Sequence, residues 1–325
     1  MFTTRNIVLL FSVFCLDPSA FSSDRDEMRQ ITQVTSGPIG EIGPLCSPDG
    51  HYLAFEYFSP ERPNAVQVWL MPTKGEFSDA ISLLGSEGSY YGEISWSPDS
   101  AWLSFVGGSV EASGVISRVR VGPISEQVFK INLASRKLTQ LTNLPRGTSL
   151  GAGTSWSKHG QIAFQMEDDI YVVPQNGGAV AKLVDVKAKL PGVSPFFPSW
   201  SPDGSRIAFV GRTAREHSLY VADLRSHRIE RIFSDVGDDG PSWLDDNRIL
   251  SSRVDGQSRS SIWVVSVREK SGVRLTQGFY DVSPMGCING DYVYFARNTD
   301  ISQSQWASLM QGFHIWRVHM RNSPP

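Results

Sequence analysis

A short pattern recurs along this chain: an aromatic residue or cysteine, a Ser-Pro-Asp-Gly-like turn, then an apolar run. It constrains the fold more than any other feature. In the clearest copy, Phe197 to Asp223 reads FPSWSPDGSRIAFVGRTAREHSLYVAD. Trp200 closes a short strand, and Ser201-Pro202-Asp203-Gly204 supplies turn chemistry: proline presets φ, aspartate bonds its own backbone, and glycine takes φ > 0. Two β-branched or aromatic runs follow, Arg206 to Val210 and Leu219 to Ala222, which predicts a meander of strands. Equivalent anchors stand at Cys46 (CSPDGHYLAF), Trp96 (WSPDSAWLSF), Trp156 (WSKHGQIAF), Trp200 (WSPDGSRIAF), Trp243 (WLDDNRIL) and Cys287 (CINGDYVYF), spaced 50, 60, 44, 43 and 44 residues apart. That period is the length of one four-stranded propeller blade with occasional loop insertions.

The two ends of the chain complement each other. Arg29 to Thr35 (RQITQVT) repeats the fourth-strand pattern of Lys137 to Thr142 (KLTQLT) and Arg274 to Gln277 (RLTQ) but has no blade of its own. The last copy ends in Arg321 to Pro325 without a fourth strand. The N-terminal strand is therefore expected to complete the sixth blade, closing the ring and removing an exposed sheet edge. The predicted fold is all-β, a six-bladed propeller of four-stranded antiparallel blades spanning residues 23–325.

These W-S-P-D-G, I-A-F, I-Y/W-V and R-L-T-Q elements, recurring six times over most of the chain, resemble the WD40-like (PD40) repeat of the TolB-like propellers. The resemblance implies the same six-bladed ring. It also implies a periplasmic binding role, since that family belongs to the Tol-Pal envelope system and its propeller docks a peptidoglycan-associated lipoprotein. The family carries a separate α/β domain before its propeller; here only a few residues separate the leader from the first strand. Propellers of this repeat type also resemble lyases of anionic sugars and substrate gates of peptidases, so fold alone does not assign an activity.

Met1 to Ser22 has the form of a secretory signal: Arg5, the apolar run Ile7 to Phe14, and Ala20-Phe21-Ser22 as a cleavage site. The run is too short to span a bilayer, and Val13 and Phe14 stand where a lipobox at Cys15 needs small residues. The expectation is a monomer exported to the periplasm. The net charge of −3 argues against a nucleic-acid partner. Cleavage would leave Cys46 and Cys287. An even pair in an oxidising compartment suggests a disulfide, whereas equivalent residues on adjacent inner strands are expected to lie beyond the Cα separation of roughly 7 Å that a bridge allows. The balance favours two buried thiols.

Catalytic motifs are sparse. Gly147-Thr148-Ser149-Leu150-Gly151 matches G-x-S-x-G, but a nucleophile elbow needs a strand before it, a helix after it and an α/β sheet around it. The six histidines are scattered without metal-ligand spacing. Asp235 to Gly240 is acidic and glycine-rich but lacks the distal bidentate glutamate of a calcium loop. No P-loop or dinucleotide fingerprint is present, so no cofactor, metal or catalytic residue is assigned.

The function expected is a non-catalytic binding module for another envelope protein or an acidic ligand; the alternative is a lyase acting on anionic polysaccharide. The candidate contact residues are Arg62, Arg212, Arg215, Arg253, Arg259 and Arg297, in loops between second and third strands. Their planar guanidinium forks suit carboxylates. The competing reading is that acids of the facing connections, Asp235, Asp238 and Asp281 among them, simply pair with these arginines. Trp306, in the insertion after Asn298, reads either as a contact residue or as part of a short helix packed over the face. The other tryptophans read as core.

Overall fold

The computed structural model describes residues 31–37, 40–58, 66–84, 89–109, 126–255, 259–278, 280–287, 291–299 and 312–320. The leader, Arg62 and Trp306 lie outside these residues. Six four-stranded antiparallel sheets make the six blades. Their innermost strands are Glu41–Cys46, Ser89–Trp96, Leu150–Trp156, Ser194–Trp200, Ser242–Trp243 and Asp281–Gly286. Blade 4 shows the order in full: Ser194–Trp200, Arg206–Arg212, His217–Asp223 and Ile229–Ser234 run from the axis outward.

The Ser-Pro-Asp-Gly turn works as its chemistry predicts. Ser201 Oγ donates to Asp203 Oδ1 at 2.5 Å and accepts the Arg206 amide at 3.0 Å, while Asp203 Oδ1 also accepts the Ser205 amide. The same set recurs at Ser47–Asp49–His51 and Ser97–Asp99–Ala101. Serine and aspartate thus satisfy the amides that a tight turn strands. Neighbouring turns also interlock, the Asp49 amide donating to Ser100 Oγ and the Asp203 amide to Asp246 Oδ1.

The ring closes as expected from the two chain ends. Ile31–Gln33 pairs with the third strand of blade 6, Phe313–His319, in the register Ile31↔Val318, Thr32↔Arg317 and Gln33↔Trp316. The Q-Φ-T end of the motif fixes this register. Thr35 Oγ1 accepts the Ile315 amide at 2.8 Å, and Gln33 Nε2 donates to the Thr35 carbonyl at 2.8 Å. Thr142 with Gln140 and Thr276 with Arg274 repeat both contacts in blades 2 and 5.

The core lies between blades. Each of the six junctions holds an apolar cluster built from the facing sheets. Trp96, Trp156 and Trp200 are buried at their anchors. Trp96 Nε1 donates to the Leu45 carbonyl, and Trp243 Nε1 donates to the Ser199 carbonyl, in each case across to the preceding blade. The strand tryptophans Trp69, Trp102, Trp263 and Trp316 are only half-buried.

The cysteines correct the sequence reading. Cys46 and Cys287 form a disulfide with a Cα separation of 5.4 Å. They are not equivalent residues. Cys46 pairs with Leu53 as Trp200 pairs with Ile207, but in blade 6 the residue in that place is Gly286, opposite Val293. Cys287 instead donates its amide to the Tyr292 carbonyl as Ser201 does to Arg206 and Ser47 to Tyr52. Side chains alternate faces along a strand, so an offset of one residue redirects the side chain. The two sulfurs are thereby brought within bonding range.

Candidate functional site

Two regions of the described residues bear on binding: the axial cavity and the end where second and third strands meet. The cavity, about 890 Å³, is walled by inner strands of all six blades. Because the Ser201 amide bonds the Arg206 carbonyl, Trp200 falls at a non-hydrogen-bonded position of its ladder, and its own N–H and C=O point away from the second strand toward the axis. Ser47, Ser97, Ser157, Leu244 and Cys287 make the equivalent bond. The residue before each of them therefore also presents main-chain groups to the axis. Trp200 N meets Ser155 Oγ of the adjacent blade at 2.9 Å. Two residues earlier, Pro44, Pro198, Pro241 and Pro284 remove a donor from this edge, as prolines on edge strands do.

Five of the six inner strands shift register just before their anchors, at Ile42/Leu45, Gly92/Ser95, Leu150/Thr154, Phe196/Ser199 and Val282/Met285. Such bulges bend the strand and re-aim side chains. At four of them a residue takes positive φ: Gly43, Gly153, Phe197 and Ser283. For a residue as bulky as Phe197, at 53°, this is a strained conformation. Its space comes from the neighbouring blades: a Cβ at Gly153 would lie 2.9 Å from Phe197 Cα, and one at Gly240 3.3 Å from Phe197 Cβ. The wall runs from this bulge layer to the turns, where Pro48, Pro98, Lys158, Pro202 and Asp246 stand.

At the opposite end the sequence-predicted arginines are found largely engaged. Arg297 makes a two-pronged pair with the fully buried Asp281, at 2.6 and 2.8 Å, and stacks between Phe295 and Trp316. Arg212 pairs with Asp238 and lies 3.6 Å over the Phe196 ring. Arg253 pairs with Asp235 at 3.3 Å between Phe233 and Trp263, and Arg259 pairs with Asp255 of its own hairpin at 3.1 Å. Arg215 is exposed, and its guanidinium meets no carboxylate among the described residues. None of these five borders the axial cavity. The cavity wall itself was missed in sequence reasoning, although the recurring proline two residues before the anchor was a signal for it.

The other motifs resolve simply. Ser149 runs directly into the strand Leu150–Trp156, with no helix after it. In the acidic loop, Asp239 accepts the Ser252 hydroxyl and the Ser283 amide. Among the described residues no three His, Cys, Asp or Glu side chains gather as a metal site requires.

No protein-family model matches the chain. An uncharacterized protein of Agrobacterium fabrum is 26% identical over 203 residues, which is 62% of this chain and 63% of that protein. TolB from Acinetobacter baumannii superposes with a TM-score of 0.61 at 18% identity, over 78% of this chain and 58% of TolB. The chain thus spans about three fifths of the length of both. A putative TolB from Agrobacterium tumefaciens gives 0.59 at 15% identity, over 89% of this chain and 96% of that one. An oligogalacturonate lyase from Vibrio parahaemolyticus gives 0.58 at 14% identity, over 92% and 96%. The shared feature is the fold. This chain is a six-bladed β-propeller similar to those of TolB proteins.

Proposed function

We propose that the chain is an exported binding propeller that holds a segment of another envelope protein, without performing chemistry on it. The observation that carries this reading is the axial cavity. It is a preformed concavity of ligand-binding size, walled by apolar side chains, hydroxyls and main-chain edges, the usual makeup of a binding pocket. Export is supported by the leader sequence and by the Cys46–Cys287 bond, since disulfides persist in oxidising compartments. No helix among the described residues is long and apolar enough to cross a membrane. The protein acts as a monomer whose partner approaches along the axis.

The arginine end, with Arg212, Arg215, Arg253, Arg259 and Arg297, is the second contact surface; the sequence-predicted Arg62 and Trp306 lie outside the described residues. An acidic ligand there must displace the protein's own carboxylates, which makes it the weaker receptor of the two. The lyase reading draws on the fold shared with the oligogalacturonate lyase; it requires release of an unsaturated sugar from an anionic oligosaccharide, followed by ultraviolet absorbance.

The test is capture from envelope extracts with crosslinking, comparing three forms of the mature chain. Ser199→Trp fills the cavity and should abolish capture of the partner. Arg212→Glu, Arg215→Glu and Arg259→Glu combined should leave capture intact. Loss only in the arginine variant, at unchanged melting temperature and with salt-sensitive binding in the parent protein, moves the site to that end. Retention by both variants excludes both ends as the binding site, and a parent protein that captures no partner overturns the binding reading.

A further inference from the structure

The innermost strand of the first blade, Glu41–Cys46, is fastened to the last blade at both of its ends by two different chemistries. At one end Cys46 bonds to Cys287. At the other, Glu41 is completely buried, and its Oε2 lies 2.7 Å from His314 Nδ1 and accepts the Thr35 hydroxyl at 3.1 Å. Thr35 is the residue that clips the closing strand onto blade 6 through the Ile315 amide.

The repeat provides an internal comparison. In blade 2 the clip is Thr142, whose Oγ1 accepts the Val128 amide at 2.9 Å and donates to Gln127 Oε1 at 2.7 Å. Gln127 precedes Val128 as His314 precedes Ile315. In blade 5 Thr276 accepts the Ile262 amide at 3.0 Å, and the preceding residue is Ser261. The neutral amide that receives the threonine hydroxyl in blade 2 is thus replaced, at the ring closure, by a buried carboxylate held against an imidazole.

We propose that the closure of the ring is a proton-operated latch at the Glu41–His314 pair, and that the Cys46–Cys287 bond holds the far end of the same strand when the latch loosens. With the imidazole neutral, the pair buries a net negative charge, which is costly in a desolvated site. Uptake of one proton makes the pair neutral, as imidazolium with carboxylate or as imidazole with carboxylic acid. Acidification therefore tightens the latch and alkalinity loosens it.

The surrounding charges leave this balance in place. Arg297 stands opposite His314 and Asp281 opposite Arg297, but those two neutralise each other in their two-pronged pair. Tyr57 stands opposite Glu41. Tyr280, against Phe313, has its hydroxyl pushed up first by burial and then by Asp239 and Asp238, so it stays neutral. Burial likewise raises the Glu41 carboxyl, outweighing the bonds from His314 and Thr35 that lower it. A carboxyl raised in the folded state contributes stability below its unfolded value and loses it as pH rises through the folded one. The sign agrees with the charge count.

Hydrogen exchange of the mature chain with its disulfide reduced tests the latch. Exchange at 313–319, held by Thr35, is compared with exchange at 127–132, held by Thr142, near pH 4.5, the ordinary carboxyl value, and at about pH 8. After correction for intrinsic rates, the ratio of the first to the second should rise toward alkaline pH, the direction set by the raised Glu41 carboxyl. Glu41→Gln, which leaves a neutral amide to receive the Thr35 hydroxyl, should remove the rise, and intact disulfide should reduce it. A constant ratio in the parent protein overturns the proposal, as does an equal rise in Glu41→Gln. Should that variant fail to fold, the parent ratio decides alone.

Discussion

Breaking the Cys46–Cys287 bond should lower the stability of the mature chain markedly, although the bond touches only two inner strands. The bridge joins residues 241 apart in sequence. In the loop-entropy model a cross-link of that span disfavours the unfolded chain by about 5 kcal/mol at room temperature. With an unfolding entropy of about 2.1 cal/mol/K per residue over roughly 300 residues, this corresponds to a fall in melting temperature of about 8 °C. The assay is scanning calorimetry of the mature protein with and without reductant, and of a Cys46→Ala, Cys287→Ala variant. Both should melt earlier by a similar amount and remain folded, because Ile31–Gln33 still closes blade 6 by hydrogen bonds. Alkylation followed by intact mass under denaturing, non-reducing conditions should add no label. Two labels would refute the bridge itself; an unlabelled protein whose melting ignores reductant would refute the entropic reasoning.

Three further outcomes follow from the packing and the turns. Trp200→Ala should cost about 3–5 kcal/mol, since the side chain fills the space among Ile170, Val172, Phe209 and Tyr220; denaturant titration measures it. Trp96→Phe should cost about 1 kcal/mol more than Trp200→Phe, because Trp96 Nε1 bonds the Leu45 carbonyl whereas Trp200 Nε1 is buried without an acceptor among the described residues. Deleting residues 29–35 should leave blade 6 with an open edge and produce aggregation by light scattering; a monomer with unchanged melting would contradict the closure.

Acid sensitivity is the last of these. Partial burial pushes the Asp203 carboxyl up, but the bonds from Ser201 and Ser205, with Arg206 nearby, outweigh it and hold the group at about 2. Its folded value lies below the unfolded one, so its contribution is present above pH 3.8 and is lost as pH falls toward about 2. The side chain is 37% exposed, so solvent screening reduces this to about 1 kcal/mol. Asp203→Asn should flatten that part of the acid unfolding curve.

The sequence by itself determined what depends on neighbours close along the chain. Ser201 and Asp203 make their turn with residues two to five positions away, and the hydrogen bonds of Gln33 and Thr35 follow the same local rule as Gln140 and Thr142. Repeat period, blade count and the matching half-blades at the two ends were legible for this reason. Tertiary structure decided what depends on contacts between blades. An offset of one residue in the last copy separates Cys287 from Gly286, and because side chains alternate along a strand, it turns an expected pair of thiols into a disulfide. Arg212 finds Asp238 and Arg253 finds Asp235 only because the connection between blades 4 and 5 folds back over the second strands, through a bridge between Val236 and Arg253. Glu41 and His314, 273 residues apart, meet because the ring closes there. No local pattern encodes such a meeting, since its geometry is set by the rotation accumulated over all six blades.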